Sequence, residues 1–163
     1  MPSQRYASPT LQRRISVIAA ATFAIAAAVS ITARAATPVE VQKERHEHFE
    51  ALGDAFKAVR DNSKGSPDFA VLEKSLAVIE KAAKDLGTWF PKGSGPEAGK
   101  TRALPEVWSK PADFAAAQKV FAEKIPALSA AVKAKDVDAI GAAFKATGGA
   151  CKNCHDTFRA PEE

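Results

Sequence analysis

Four runs of apolar residues recur at three- and four-residue spacing, and none alternates in the period of two that a strand requires. The first opens at Thr37-Pro38, a capping residue followed by proline at the first helical position, and carries Val41, His48/Phe49, Leu52, Phe56 and Val59 on one face. It ends in the turn-rich stretch RDNSKGSP. The second opens at Ser66-Pro67-Asp68, runs through Phe69, Leu72, Leu76, Ile79, Ala83 and Leu86, and meets Gly87, a suitable C-terminal residue. A third starts at Ser109-Lys110-Pro111 and carries Phe114, Ala117, Phe121, Ile125, Leu128 and Val132. Pro126 lies inside it and must kink or split it, because proline lacks a backbone donor. The fourth begins near Asp136, with Val137, Ile140, Phe144, Gly148, Cys151, Cys154/His155 and Phe158 on its face. The pattern predicts an all-α chain, an antiparallel four-helix bundle with a long loop between helices two and three. That loop, TWFPKGSGPEAGKTRALPEVWSK, is long for a compact domain and so is expected to have a task. Its aromatics Trp89, Phe90 and Trp108 predict that it packs onto the body.

The bundle does not begin at the N-terminus. Arg5, Arg13 and Arg14 precede an apolar run from Ile15 to Ile31, followed by Ala33-Arg34-Ala35. A basic start, a short apolar core and an A-x-A site read as a secretory signal peptide over residues 1–35, cleaved after Ala35. An uncleaved membrane anchor is the alternative, but the run is short and alanine-rich for a span. Arg13-Arg14 resembles a twin-arginine signal, yet Ser16 and Val17 follow it, so ordinary export is expected. Cleavage alters the electrostatics. Without the leader's four arginines the 23 basic residues become 19, against 19 acidic ones. A neutral chain lacks the surplus charge that nucleic-acid binding needs. The expected location is the periplasm, with no membrane attachment after cleavage.

Both cysteines and one of the three histidines lie in GGACKNCHDTFRAPEE, at the end of the fourth run. Cys151 and Cys154 are one helical turn apart, and His155 is four residues from Cys151, so all three converge on one patch. C-x-x-C-H is the attachment signature of c-type haem. Two thiols bond two neighbouring vinyl groups of one porphyrin, and the adjoining imidazole reaches the iron. Three rival readings remain at this point. A zinc-stabilised bundle would add His46 or His48 to the cluster. A redox dithiol would need a βαβ setting that the sequence lacks. A disulfide would close a very short loop and leave His155 without a part. An unstapled bundle of this length buries enough core on its own, so the cysteines are not needed for stability.

The only methionine is Met1, inside the leader, so a His/Met iron is excluded in the mature chain. His48 flanks the apolar face of the first helix, and His46 points away from it. A six-coordinate, low-spin electron carrier with His48 as distal ligand is therefore one reading. The other takes ERHEHFE as a solvated charged face and leaves the iron five-coordinate and high-spin. No further acid, base or nucleophile constellation appears, so turnover beyond electron exchange is not expected.

These stretches together resemble the class II c-type cytochromes, the cytochrome c prime family and its six-coordinate relatives, over essentially all of residues 38–160. The domain after the leader, residues 36–163, would be their haem-binding bundle, carrying one haem c on two thioether bonds from Cys151 and Cys154, with His155 on the iron. CKNCHDTFR resembles the family's C-terminal end, which implies Arg159 beside the proximal imidazole. FPKGSG and TRALPEVW resemble its central loop, which implies Arg102 and Ala103 as haem neighbours. ERHEHFEALGDAFKAV resembles its first helix, which implies Phe49 as the distal residue and Arg45 in contact with a haem propionate. The alternative for Arg45 is a surface pairing with Glu44 or Glu47. Low-spin relatives carry methionine at the distal position; phenylalanine cannot ligate, which argues for high-spin iron. The resemblance further implies electron transfer or the binding of NO or CO, a redox partner that the sequence does not name, and a homodimer through helices one and two.

Overall fold

The computed structural model describes residues 35–161, so the leader expected over residues 1–35 lies outside the described residues except for Ala35. Helix α1 spans Pro38–Asp61. It opens on a complete capping box: Thr37 Oγ1 accepts from the Glu40 amide at 3.2 Å, and the Thr37 amide donates to Glu40 Oε2 at 2.6 Å. Helix α2 spans Phe69–Asp85. Its cap is Asp68, whose carboxylate accepts from the amides of Ala70 and Val71; the sequence pattern had favoured Ser66 with Pro67 at the first helical position. Aspartate caps at least as well as serine, and it sits two residues nearer the first apolar position. The chain passes from α2 directly into a 3₁₀ turn, Leu86–Trp89, so Gly87 lies within that turn and does not end the helix.

The third limb is divided as Pro126 required: α4 spans Pro111–Ala122 and α5 spans Ile125–Ala134, with Glu123 and Lys124 between. A single turn, α3, Glu106–Ser109, precedes it. Helix α6 spans Val137–Phe158, capped by the Asp136 side chain on the Ala139 amide at 3.0 Å. Four limbs, α1, α2, α4–α5 and α6, make the antiparallel bundle, with α1 on α2, α2 on α5, and α6 against both α4 and α5. Among the described residues there is no strand, only the isolated antiparallel bridge of Ala103 with Arg159. No described helix is long and apolar enough to cross a membrane.

The main core fills the half of the bundle away from the C-terminus, around Val59, Leu72, Ile79, Leu128, Val132 and Ile140. A smaller cluster of Val107, Phe114 and Phe158 lies under the long loop. Between the two clusters lies a gap.

Candidate cofactor site

The gap is a cavity of about 1200 Å³. Ordinary small-molecule pockets occupy roughly 300–1,000 Å³, so this one suits a larger flat group. One wall is the last three turns of α6, which present Gly148, Cys151, Cys154 and His155. The buried residues of α6 are Ile140, Ala143, Thr147, Ala150 and Phe158; Cys151, Cys154 and His155 are half-buried and face the cavity. A Cβ at Gly148 would meet nothing within 4 Å, so the helix wall is open there. Both thiols are free. Burial pushes Cys151 up to about 11, with Cys154 adding to the effect, and burial also raises Cys154. Burial lowers the His155 pKa, and the nearby Arg159 and Arg102 lower it further against Asp156. The imidazole is thus neutral near pH 7, with a lone pair free to bind a metal.

Across the cavity stands Phe49 of α1, its ring centroid 6.4 Å from that of His155. Phe49 is backed edge-on by Trp89 at 5.2 Å and flanked by Phe90 at 6.1 Å. Apolar side chains, among them Leu52, Phe56 and Phe121, close the deep end. Gln118 of α4 also lines the cavity, and its Nε2 is buried with no hydrogen-bond partner among the described residues. Such orphans are rare in folded proteins, and an occupant carrying an acceptor would satisfy this one.

The polar end is built by the long loop. Pro91-Lys92-Gly93-Ser94 is a turn in which Gly93 takes φ +81°, a conformation costly for other residues. Ser94 is thereby buried and turned toward α1. Arg45, only 4% exposed, donates from Nη1 to Trp89 O (3.2 Å) and Ser94 Oγ (2.9 Å), and from Nη2 to Ser94 O (2.9 Å) and Thr101 Oγ1 (3.1 Å). Its guanidinium lies 4.8 Å from the Phe90 ring centroid. Gln42 adds a bond to Gly95 O at 2.7 Å, and Trp108 Nε1 donates to Phe90 O and Pro91 O. The surface pairing of Arg45 with Glu44 or Glu47 is overturned: the side chain points inward and holds the loop. Further on, the loop pairs with the chain after α6. Leu104 N donates to Phe158 O at 2.9 Å, Ala160 N to Arg102 O at 2.8 Å, and the Arg102 side chain to Ala160 O at 2.7 Å from Nη2.

All eight residues singled out in the sequence, Arg45, Phe49, Arg102, Ala103, Cys151, Cys154, His155 and Arg159, line this one cavity. His48 does not. Its ring stacks on Trp89 at 4.7 Å, with Nε2 3.7 Å from Glu44, and it borders a separate cleft between α1 and α2. The order of the two histidines is the reverse of the sequence reading, since His46 is the one at the cavity rim. His46 is 74% exposed and 3.3 Å from Glu50. The zinc reading fails on geometry too: among the described residues no three His, Cys, Asp or Glu side chains gather as a ligand set. Residues that sequence reasoning passed over are Gln42, Ser94, Thr101 and Gln118, whose parts depend on contacts distant in the chain.

A family model described as Cytochrome C' matches residues 40–159. A cytochrome c' from Pararhodospirillum photometricum is 37% identical over 125 residues, covering 76% of this chain and 99% of the relative. The solved cytochrome c' from Rubrivivax gelatinosus superposes with a TM-score of 0.70 at 34% identity, over 77% of this chain and 99% of that one. A nitric oxide complex of a variant cytochrome c prime from Alcaligenes xylosoxidans superposes with a TM-score of 0.68 at 28% identity, over 79% of this chain and 100% of that one.

Proposed function

The chain belongs to the cytochrome c' family, a family of haem proteins, and on that premise we propose that it is an exported, five-coordinate haem protein that exchanges electrons and binds small gases such as NO or CO. The observation that carries the reading is the confrontation of Phe49 with the Cys151-Cys154-His155 turn across one large, mostly apolar cavity. Cys151 and Cys154 would hold the haem by thioether bonds and His155 would bind its iron. Bound there, the haem supplies a one-electron couple and an iron able to take a diatomic ligand.

The chain's own residues set the terms. The neutral imidazole of His155 is available without first losing a proton. Phe49 offers no lone pair, and Trp89 and Phe90 brace it, so a small ligand entering on that side must displace or slip past an aromatic ring. His48 is engaged with Trp89, which weighs against the six-coordinate reading. Apolar walls keep water from the deep end. Arg45 fixes the loop that closes the polar end, and the cations there suit the carboxylates of a haem. The cavity-facing places of Arg102, Ala103 and Arg159 support their reading as haem neighbours. Export to the periplasm by a leader ending at Ala35, and pairing of two copies through α1 and α2, belong to the same proposal. The test is optical: a high-spin ferrous spectrum that shifts on adding carbon monoxide is expected. A low-spin spectrum indifferent to carbon monoxide contradicts five-coordination.

A further inference from the structure

Among the described residues, the cavity is lined by Lys43, Arg45, Lys100, Arg102 and Arg159, and by no aspartate or glutamate. From Ala35 onward the sequence has equal numbers of basic and acidic residues, so the one-sided lining is not inherited from a basic chain. The cofactor's carboxylates do not account for all of it. Arg45 is inside and committed to the loop, whereas Lys43 is 77% exposed and Lys100 is exposed, both at the mouth. Lys100 has no carboxylate partner among the described residues. Lys43 lies 2.8 Å from Glu47, a solvated i,i+4 pair that a competing carboxylate can replace at little cost. Beside them, also lining the mouth, is Val39, 58% exposed and the most exposed large hydrophobic residue among those described. An apolar spot flanked by two lysines fits the anatomy of a protein contact, with apolar burial at the centre and charge at the rim.

Resting on the haem reading above, we propose that this mouth is the docking surface for an acidic one-electron redox protein, recognised through a carboxylate cluster. Contact there transfers one electron between the partner's centre and the haem iron; one is oxidised as the other is reduced, and no proton or bond moves. The lysines steer the encounter, so their effect is on association rate and vanishes as salt screens it.

The test measures second-order electron-transfer rates of the haem-loaded protein by stopped flow. The ferric protein is reduced by an acidic flavodoxin hydroquinone. The ferrous protein is oxidised by anionic hexacyanoferrate(III) or by cationic tris(phenanthroline)cobalt(III). Rates with flavodoxin and hexacyanoferrate should fall as salt rises, and the cobalt rate should rise. Lys43→Glu combined with Lys100→Glu should cut the flavodoxin rate roughly tenfold or more at low salt and speed the cobalt reaction. Lys74→Glu combined with Lys145→Glu makes the same charge change on exposed positions of α2 and α6 outside the cavity, and should alter neither rate more than about twofold. Equal losses in the two double variants, or salt-independent rates in the parent protein, overturn the proposal; the salt series needs no variant. A colourless protein would refute the haem reading before any rate was measured, whereas a normal haem spectrum without the charge asymmetry refutes the docking surface alone.

Discussion

Replacing Arg45 by methionine removes the tie between α1 and the long loop while keeping an apolar stem against Phe90. Four acceptors lose a donor, Trp89 O, Ser94 Oγ, Ser94 O and Thr101 Oγ1, although Thr101 Oγ1 still accepts from the Ala103 amide at 3.2 Å. Hydrogen bonds to a charged group contribute about 1.5–3 kcal/mol each, but the four do not simply add. Desolvation of a buried cation opposes them, and burial does lower this guanidinium's pKa. Ser94 O also keeps a 3.3 Å contact with Gln42 Nε2. The expected net loss is about 3 kcal/mol, near the low end for breaking a buried charged network. In a domain of this size that lowers the Tm by roughly 10 °C. Urea unfolding followed by tryptophan fluorescence reads the loss, and amide exchange across residues 91–101 should accelerate, since the loop is what Arg45 holds. Arg45→Lys keeps the charge but not the planar fork that spans Trp89 to Thr101, so it should recover less than half of the stability. A loss under about 0.5 kcal/mol, the size of an ordinary surface effect, or full rescue by lysine, would refute the role given to the guanidinium.

Two further outcomes follow from the same geometry. Phe49→Met places a thioether opposite His155 and should convert the iron toward six-coordinate, low-spin, with weaker carbon monoxide binding; an unchanged spectrum would mean that Phe49 is not the distal residue. In the haem-free chain Cys151 has its pKa raised from 9.0 to about 11 by burial, so the folded state binds its proton more tightly than the unfolded state does. That contribution to stability is complete below about pH 9 and lost as pH climbs toward 11, on the order of 2 kcal/mol. Urea midpoints between pH 8 and 11, with iodoacetamide trapping of the thiol, read it; a flat midpoint would contradict the burial.

Much of this molecule was legible because its signals are local. Thr37-Pro38 and Asp136 mark their helices within one turn, Pro126 divides the third limb, and Cys-Lys-Asn-Cys-His fixes three groups on one turn of α6 whatever surrounds it. The facing wall was less legible. Periodicity placed Phe49 on the inner face, but Arg45 lies on a charged stretch, and its burial is created by loop atoms 44 to 56 residues away. His48 misled for the same reason: its neighbour Trp89 belongs to a 3₁₀ turn after α2, and stacking there carries the imidazole away from the cavity. Ser66 and Asp68 differ by only two residues, and which of them caps α2 depends on where the first turn begins.

The covalent link from Cys151 and Cys154 to the haem can be read directly by intact and peptide mass spectrometry. The protein is exported by a host able to mature c-type cytochromes, and the peptide containing residues 151–155 is isolated. One haem should remain on that peptide through acid denaturation, with neither thiol open to alkylation. A peptide of unmodified mass, with both cysteines alkylated, would contradict the account at its root.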